Sequence, residues 1–117
     1  MTGALFLILS CTTDKYVAPY NQDPTISISS HSDGDVVDVG TSVTFEAVVG
    51  DLNHDASQLV VRWLNNNGEI CPNETPDASG VSICEYIPEQ SDTWIRAQVV
   101  DPEGAFAEAQ VDLSISI

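Results

Sequence analysis

The stretch AFAEAQVDLSISI, residues 105–117, places Ala105, Ala107, Ala109, Val111, Leu113 and Ile115 at every second position and Glu108, Gln110, Asp112 and Ser114 between them. A period of two sends the first set to one side of an extended chain and the second set to the other, as in a strand with one dry face and one wet face. Wound as a helix, the same residues would spread their apolar side chains around the whole circumference.

The same period recurs upstream. Ile95, Ala97 and Val99 form one inward set, Leu59, Val61 and Trp63 another, and Val43, Phe45, Ala47 and Val49 a third, with Glu46 on the opposite face. Ile26 and Ile28 mark a first strand, and Val81 to Ile87 reads as a further one. Clusters of Gly, Pro, Asn and Asp interrupt the pattern roughly every ten residues, the rhythm of an all-β sandwich. Asn65 to Gly68 reads as a turn, because Asn and Gly tolerate positive φ. No stretch shows a helical period. The expectation is an antiparallel, all-β sandwich of about seven strands over residues 25–117, anchored by Trp63.

The chain has 117 residues, enough for one two-layer core. Its formal charge of −15 arises from 18 acidic groups against Lys15, Arg62 and Arg96. Such a surface repels nucleic acid and anionic headgroups, so neither is expected as a partner.

Ala4 to Leu9 is purely apolar but far shorter than the ~20 residues a spanning helix needs, so residues 1–10 read as a signal peptide. Ile8, Leu9, Ser10 and Cys11 resemble the lipobox of bacterial lipoproteins, in which an aliphatic and a small residue precede the modified cysteine. The resemblance implies that Cys11 is diacylated and begins the mature chain; two acyl chains anchor stably where one binds only marginally. The leader departs from the pattern in lacking Lys or Arg before its apolar stretch. Thr12 stands where lipoproteins retained at the inner membrane often carry Asp, which implies the outer membrane or cell surface. Residues 11–24, with Pro19, Asn21, Asp23 and Pro24, lack periodicity and read as an extended tether of at most about 45 Å.

Beyond the tether, three segments resemble the immunoglobulin-like and cadherin-like repeats of bacterial surface proteins, including the polycystic-kidney-disease type. They are EAVVGDLNHDASQLVVRW (46–63), the turn at Asn67 and Gly68, and VDPEG (100–104) followed by Ala107 to Ile117. The antibody-type cysteine pair is missing: Phe45 and Ala97 lie about where it would be. With Cys11 assigned to lipid, Cys71 and Cys84 remain as an even pair in an exported chain and read as a disulfide, stapling Pro72 to Ile83.

Catalysis is not expected. His31 and His54 are the only histidines, no cysteine is left as a nucleophile, and a small sandwich offers little cleft for paired carboxylates. No cofactor is expected except calcium: Asp51, Asn53 and Asp55 on one loop and Asp101 and Glu103 on another should emerge at one end of the sandwich, with the tether's Asp23 arriving there too. Related cadherin-like repeats use such acidic loops at domain junctions; capped turns are the plainer explanation. The outer face of the sheet should present Val60, Arg62, Leu64, Trp94, Arg96 and Phe106, and Trp and Arg are frequent interface anchors, so this face is the expected partner surface. A register slip would bury those side chains. The function expected is a non-enzymatic, membrane-anchored interaction or structural module with a protein or surface-polymer partner. The alternatives are a calcium-dependent adhesion unit and an accessory subunit of a larger envelope complex.

Overall fold

Period-two patterning becomes strands throughout the computed structural model, which describes residues 20–117. The signal segment, Cys11 and the tether through residue 19 lie outside the described residues. Eight strands follow in order: β1 (Thr25–Ile28), β2 (Asp35–Asp38), β3 (Val43–Gly50), β4 (Val60–Asn65), β5 (Gly68–Glu74), β6 (Val81–Tyr86), β7 (Trp94–Val100) and β8 (Phe106–Ser116). One 3-10 turn, Ala56–Gln58, interrupts the passage from β3 to β4. One sheet has the order β1-β3-β6 and the other β2-β8-β7-β4-β5. Pairing is antiparallel except between β2 and β8, which run parallel.

The inward residues of β3, β4 and β7 fill the space between the sheets: Phe45, Ala47 and Val49 from one side, Val61, Trp63, Ile95, Ala97 and Val99 from the other. Trp63 is 1% exposed, and its ring centroid lies 6.2 Å from that of Phe45. Burying a large apolar side chain is worth about 1.5–3 kcal/mol, so this layer carries much of the stability. The indole N–H does not go unpaired: Trp63 Nε1 donates to Ser82 Oγ at 3.0 Å, a bond from β4 to β6 across the core.

Cys71 and Cys84 are disulfide-bonded. In the strand registers Cys84 lies beside Phe45 and Cys71 beside Trp63, so the bond sits next to the aromatic layer. The staple expected for the Pro72–Ile83 segment therefore also joins β5 to β6, an edge of each sheet, and closes the flank of the sandwich. Phe45 and Ala97 face the core from opposite sheets, both fully buried, and fill the middle where antibody domains place their bond.

Three expectations are refined. Of the eight strands, the sequence reading placed neither β2 nor β5, because β2 buries only Val37 and β5 buries no residue fully. The turn expected at Asn65–Gly68 narrows to Asn66 and Asn67, since Asn65 ends β4 and Gly68 begins β5. Finally, Asn21–Pro24 is not all free tether: Asn21 and Gln22 bond to the domain's loops and Pro24 is buried.

A buried polar network locks the β4–β5 hairpin to the β6–β7 connection. Asp92, 2% exposed, accepts from Asn65 Nδ2 and Asn67 Nδ2 on one oxygen and from the Tyr86 hydroxyl and the Glu89 N–H on the other, all at 2.7–2.9 Å. Burial, then the hydrogen bond to Asp92, pushes the Tyr86 phenol up to about 12. At the other end of the sandwich, Gly80 at φ +84° packs against β3, where a Cβ would run into the Val49 carbonyl oxygen. Only glycine fits there.

Candidate functional site

Two places bring chemistry together. The first is the pole where the N-terminal segment meets the sandwich. Here β3 runs into the loop Asp51–Asp55, and β7 turns back to β8 through Asp101–Gly104. Each loop is shaped by an aspartate that accepts backbone N–H groups: Asp51 Oδ1 from Asn53 at 2.7 Å, and Asp101 Oδ1 from Glu103 at 2.9 Å and Ala105 at 3.0 Å. Such Asx turns hold the two loops in fixed shape. Between them lies His54, its Nδ1 3.4 Å from Asp51 Oδ2 and 3.9 Å from Asp101 Oδ2, its Nε2 3.1 Å from Glu103 Oε2. Asn21 completes the pole by donating from Nδ2 to Asp101 Oδ2 at 3.1 Å.

Burial alone would push the Asp101 carboxyl up. The bonds from Asn21 and the Glu103 and Ala105 N–H groups outweigh it and hold the carboxyl below its ordinary value.

Of the six residues expected to hold calcium, Asp51, Asp101 and Glu103 do converge. Asn53, Asp55 and Asp23 serve otherwise or stand apart. Asn53 Oδ1 accepts from the Gln22 N–H, Asp55 begins the 3-10 turn, and Asp23 is exposed. Sequence reasoning missed His54 and Asn21. His54 follows Asp51 by three positions, which marks it as a loop neighbour, but nothing local signals the approach of residues 101–103. Nor does His31 stand free: its ring packs 4.6 Å from that of Phe45.

The second place is the outer face of the larger sheet, where strand registers arrange side chains in transverse rows. Val60, Val100 and Phe106 make an apolar row; Arg62, Gln98 and Glu108 a polar one; Leu64, Arg96 and Gln110 the next, followed by Trp94 beside Asp112. Val60, Arg62, Leu64, Trp94, Arg96 and Phe106 thus share one face.

Arg62 Nε donates to Gln98 Oε1 at 2.8 Å, and Arg96 to Gln110 Oε1 through Nε and Nη2 at 3.0 and 2.7 Å. The Arg96 guanidinium also lies 4.4 Å from the centre of the Trp94 ring. Both cations and the indole are therefore already engaged within the sheet. The apolar row is not, for Phe106 is 57% and Val100 41% exposed. With Gln58, Arg62 and Pro102 this row lines a groove of about 530 Å³ that reaches Asp101. Val100 was legible from the parity of β7, two positions beyond Gln98.

No protein-family model and no curated protein matches the sequence. Among solved structures the chain is similar to the fibronectin(III)-like modules of Clostridium thermocellum CbhA, with a TM-score of 0.59 and 15% identity over 80% of this chain and 47% of that one. It is also similar to the titin M3 domain, with a TM-score of 0.54 and 14% identity over 80% of this chain and 97% of that one. The chain spans just under half the length of the Clostridium chain it matches. At such identities what is shared is the fold: the chain is an immunoglobulin-like β-sandwich.

Proposed function

We propose that this chain is a non-enzymatic interaction module, held at the bacterial envelope by lipid on Cys11, that seats a protein partner on the Val60–Val100–Phe106 row. The observation that carries this reading is the row itself: three apolar side chains side by side, next to a hydrogen-bonded row of Arg62, Gln98 and Glu108, lining a groove. Exposed apolar patches framed by polar groups mark association surfaces. A net charge of −15 favours a partner whose rim is basic. Anchoring is supported by Ile8–Cys11, and the outer membrane or cell surface by Thr12.

The test is site-specific photocrosslinking in cells. A photoreactive residue at position 106 should give a discrete adduct that Val100→Asp abolishes. The same group at Ile83, exposed on the other sheet, should give none. Equal adducts from both positions, or none from 106, would count against the surface. Mass spectrometry of the mature N-terminus tests the anchor: a diacylglyceryl cysteine is expected, and an unmodified thiol at Cys11 contradicts it.

A further inference from the structure

The polar cluster at the N-terminal pole has the construction of a metal site. Each aspartate spends one oxygen on its own loop and turns the other inward. Both side chains are 0% exposed, and the His54 side chain between them is 11% exposed. One ligand atom from each of Asp51, His54 and Asp101 lies within 4.8 Å of the other two. Three buried atoms at this pole have no hydrogen-bond partner: Asp51 Oδ2, His54 Nδ1 and Asn21 Oδ1. A carboxylate oxygen, an imidazole nitrogen and an amide oxygen are all ligand atoms, and buried polar atoms are rarely left unpaired without a reason.

His54 Nδ1 stands 3.4 Å from Asp51 Oδ2 and 3.9 Å from Asp101 Oδ2, wider than a bare ion pair and closer to the spacing of ligands around one ion. A charge-assisted N–H···O bond is about 2.7–2.9 Å long, shorter than the 3.4 Å from His54 Nδ1 to Asp51 Oδ2. Two ligands of one tetrahedral ion, each bound at about 2.0–2.1 Å, stand about 3.3 Å apart. The far side of the ring fits as well: Nε2 lies 3.1 Å from Glu103 Oε2, so an Nε2–H donated to Glu103 leaves Nδ1 as a lone pair facing the aspartates. A carboxylate behind a ligating histidine is the usual orienting device in such sites.

We infer that Asp51, His54 and Asp101 bind one divalent cation of the zinc class at the pole where the chain enters the domain, with Glu103 orienting the imidazole. An imidazole nitrogen among the donors suits zinc and its neighbours, whereas calcium takes six to eight oxygens. Asn21 Nδ2 bonds Asp101, so the ion would tie the N-terminal segment to both loops and stiffen the exit toward the anchor.

Titration calorimetry of the full chain with zinc chloride, after chelator treatment and dialysis at pH 7, tests this. One equivalent should bind, with affinity falling at least tenfold in His54→Gln and Asp51→Asn and unchanged in His31→Gln. Glu103→Gln should weaken binding by roughly 10- to 100-fold, the range for orienting carboxylates. In the NMR spectrum at fixed pH zinc should move the His54 ring-proton signals while leaving those of His31 in place, a readout that needs no variant to fold. A flat zinc titration, zinc binding indifferent to His54→Gln, or saturation by calcium with no response to zinc would each overturn the assignment.

Discussion

Tyr86 shows how one buried group sets a pH dependence. Its hydroxyl donates to Asp92 Oδ2 at 2.7 Å, and its phenol is raised from 10.0 to about 12. A group whose folded-state value lies above its unfolded value stabilises the fold fully below the unfolded value and loses that contribution as pH climbs toward the folded one. Tyr86→Phe should therefore cost about 1 kcal/mol at neutral pH, the net worth of such a bond. The gap to the parent should narrow between pH 10 and pH 12. Urea denaturation across that range checks it, and a gap that stays constant would contradict the coupling. Asp101 carries the opposite sign: its depressed value contributes stability above the ordinary carboxylate range that is lost as pH falls through the folded value. The pairing of Tyr86 with Asp92 could not be read from their neighbours in sequence. Tyr86 stands in an apolar strand pattern and Asp92 in an apparently ordinary loop, and their meeting depends on the β6–β7 connection doubling back.

Among the elements, the strands that carry the core were legible because apolar residues occupy their inward positions at strict alternation. In β7, Ile95, Ala97 and Val99 are all fully buried. The unread strands lie at sheet edges. β5 contains Pro72, tolerable only because an edge strand need not donate every N–H, and its residues are exposed or half-buried. β2 is four residues long and joins β8 in parallel, a pairing fixed by distant chain. The disulfide belongs to this scale, since it fastens β5 to β6 across a sequence separation of 13. Replacing both cysteines by serine should cost about 3 kcal/mol on the loop-entropy estimate. In thermal melts the variant should still unfold in a single transition, because the Phe45–Trp63 layer remains. Loss of cooperativity, or a change below 1 kcal/mol, would show that the flank is held by other means.

For the molecule as a whole, two neighbouring places present different chemistry. The N-terminal pole gathers carboxylates around His54, and the neighbouring end of the outer face offers an apolar groove; Asp101 borders both. The face was legible because the parity of β4, β7 and β8 fixes which side chains point outward. The histidine at the pole was not, because loops separated by some fifty residues must fold before their ligands meet. Everything at both places depends on the sandwich being closed around Trp63. That can be measured directly, since the chain has two tryptophans and so two indole N–H signals. Hydrogen exchange followed by ¹H–¹⁵N NMR should find Trp63 Nε1, bonded to Ser82, exchanging only on global unfolding, and the half-buried Trp94 on the outer face orders of magnitude faster. Equal, rapid exchange of both indoles would contradict the packing on which the groove and the pole rest.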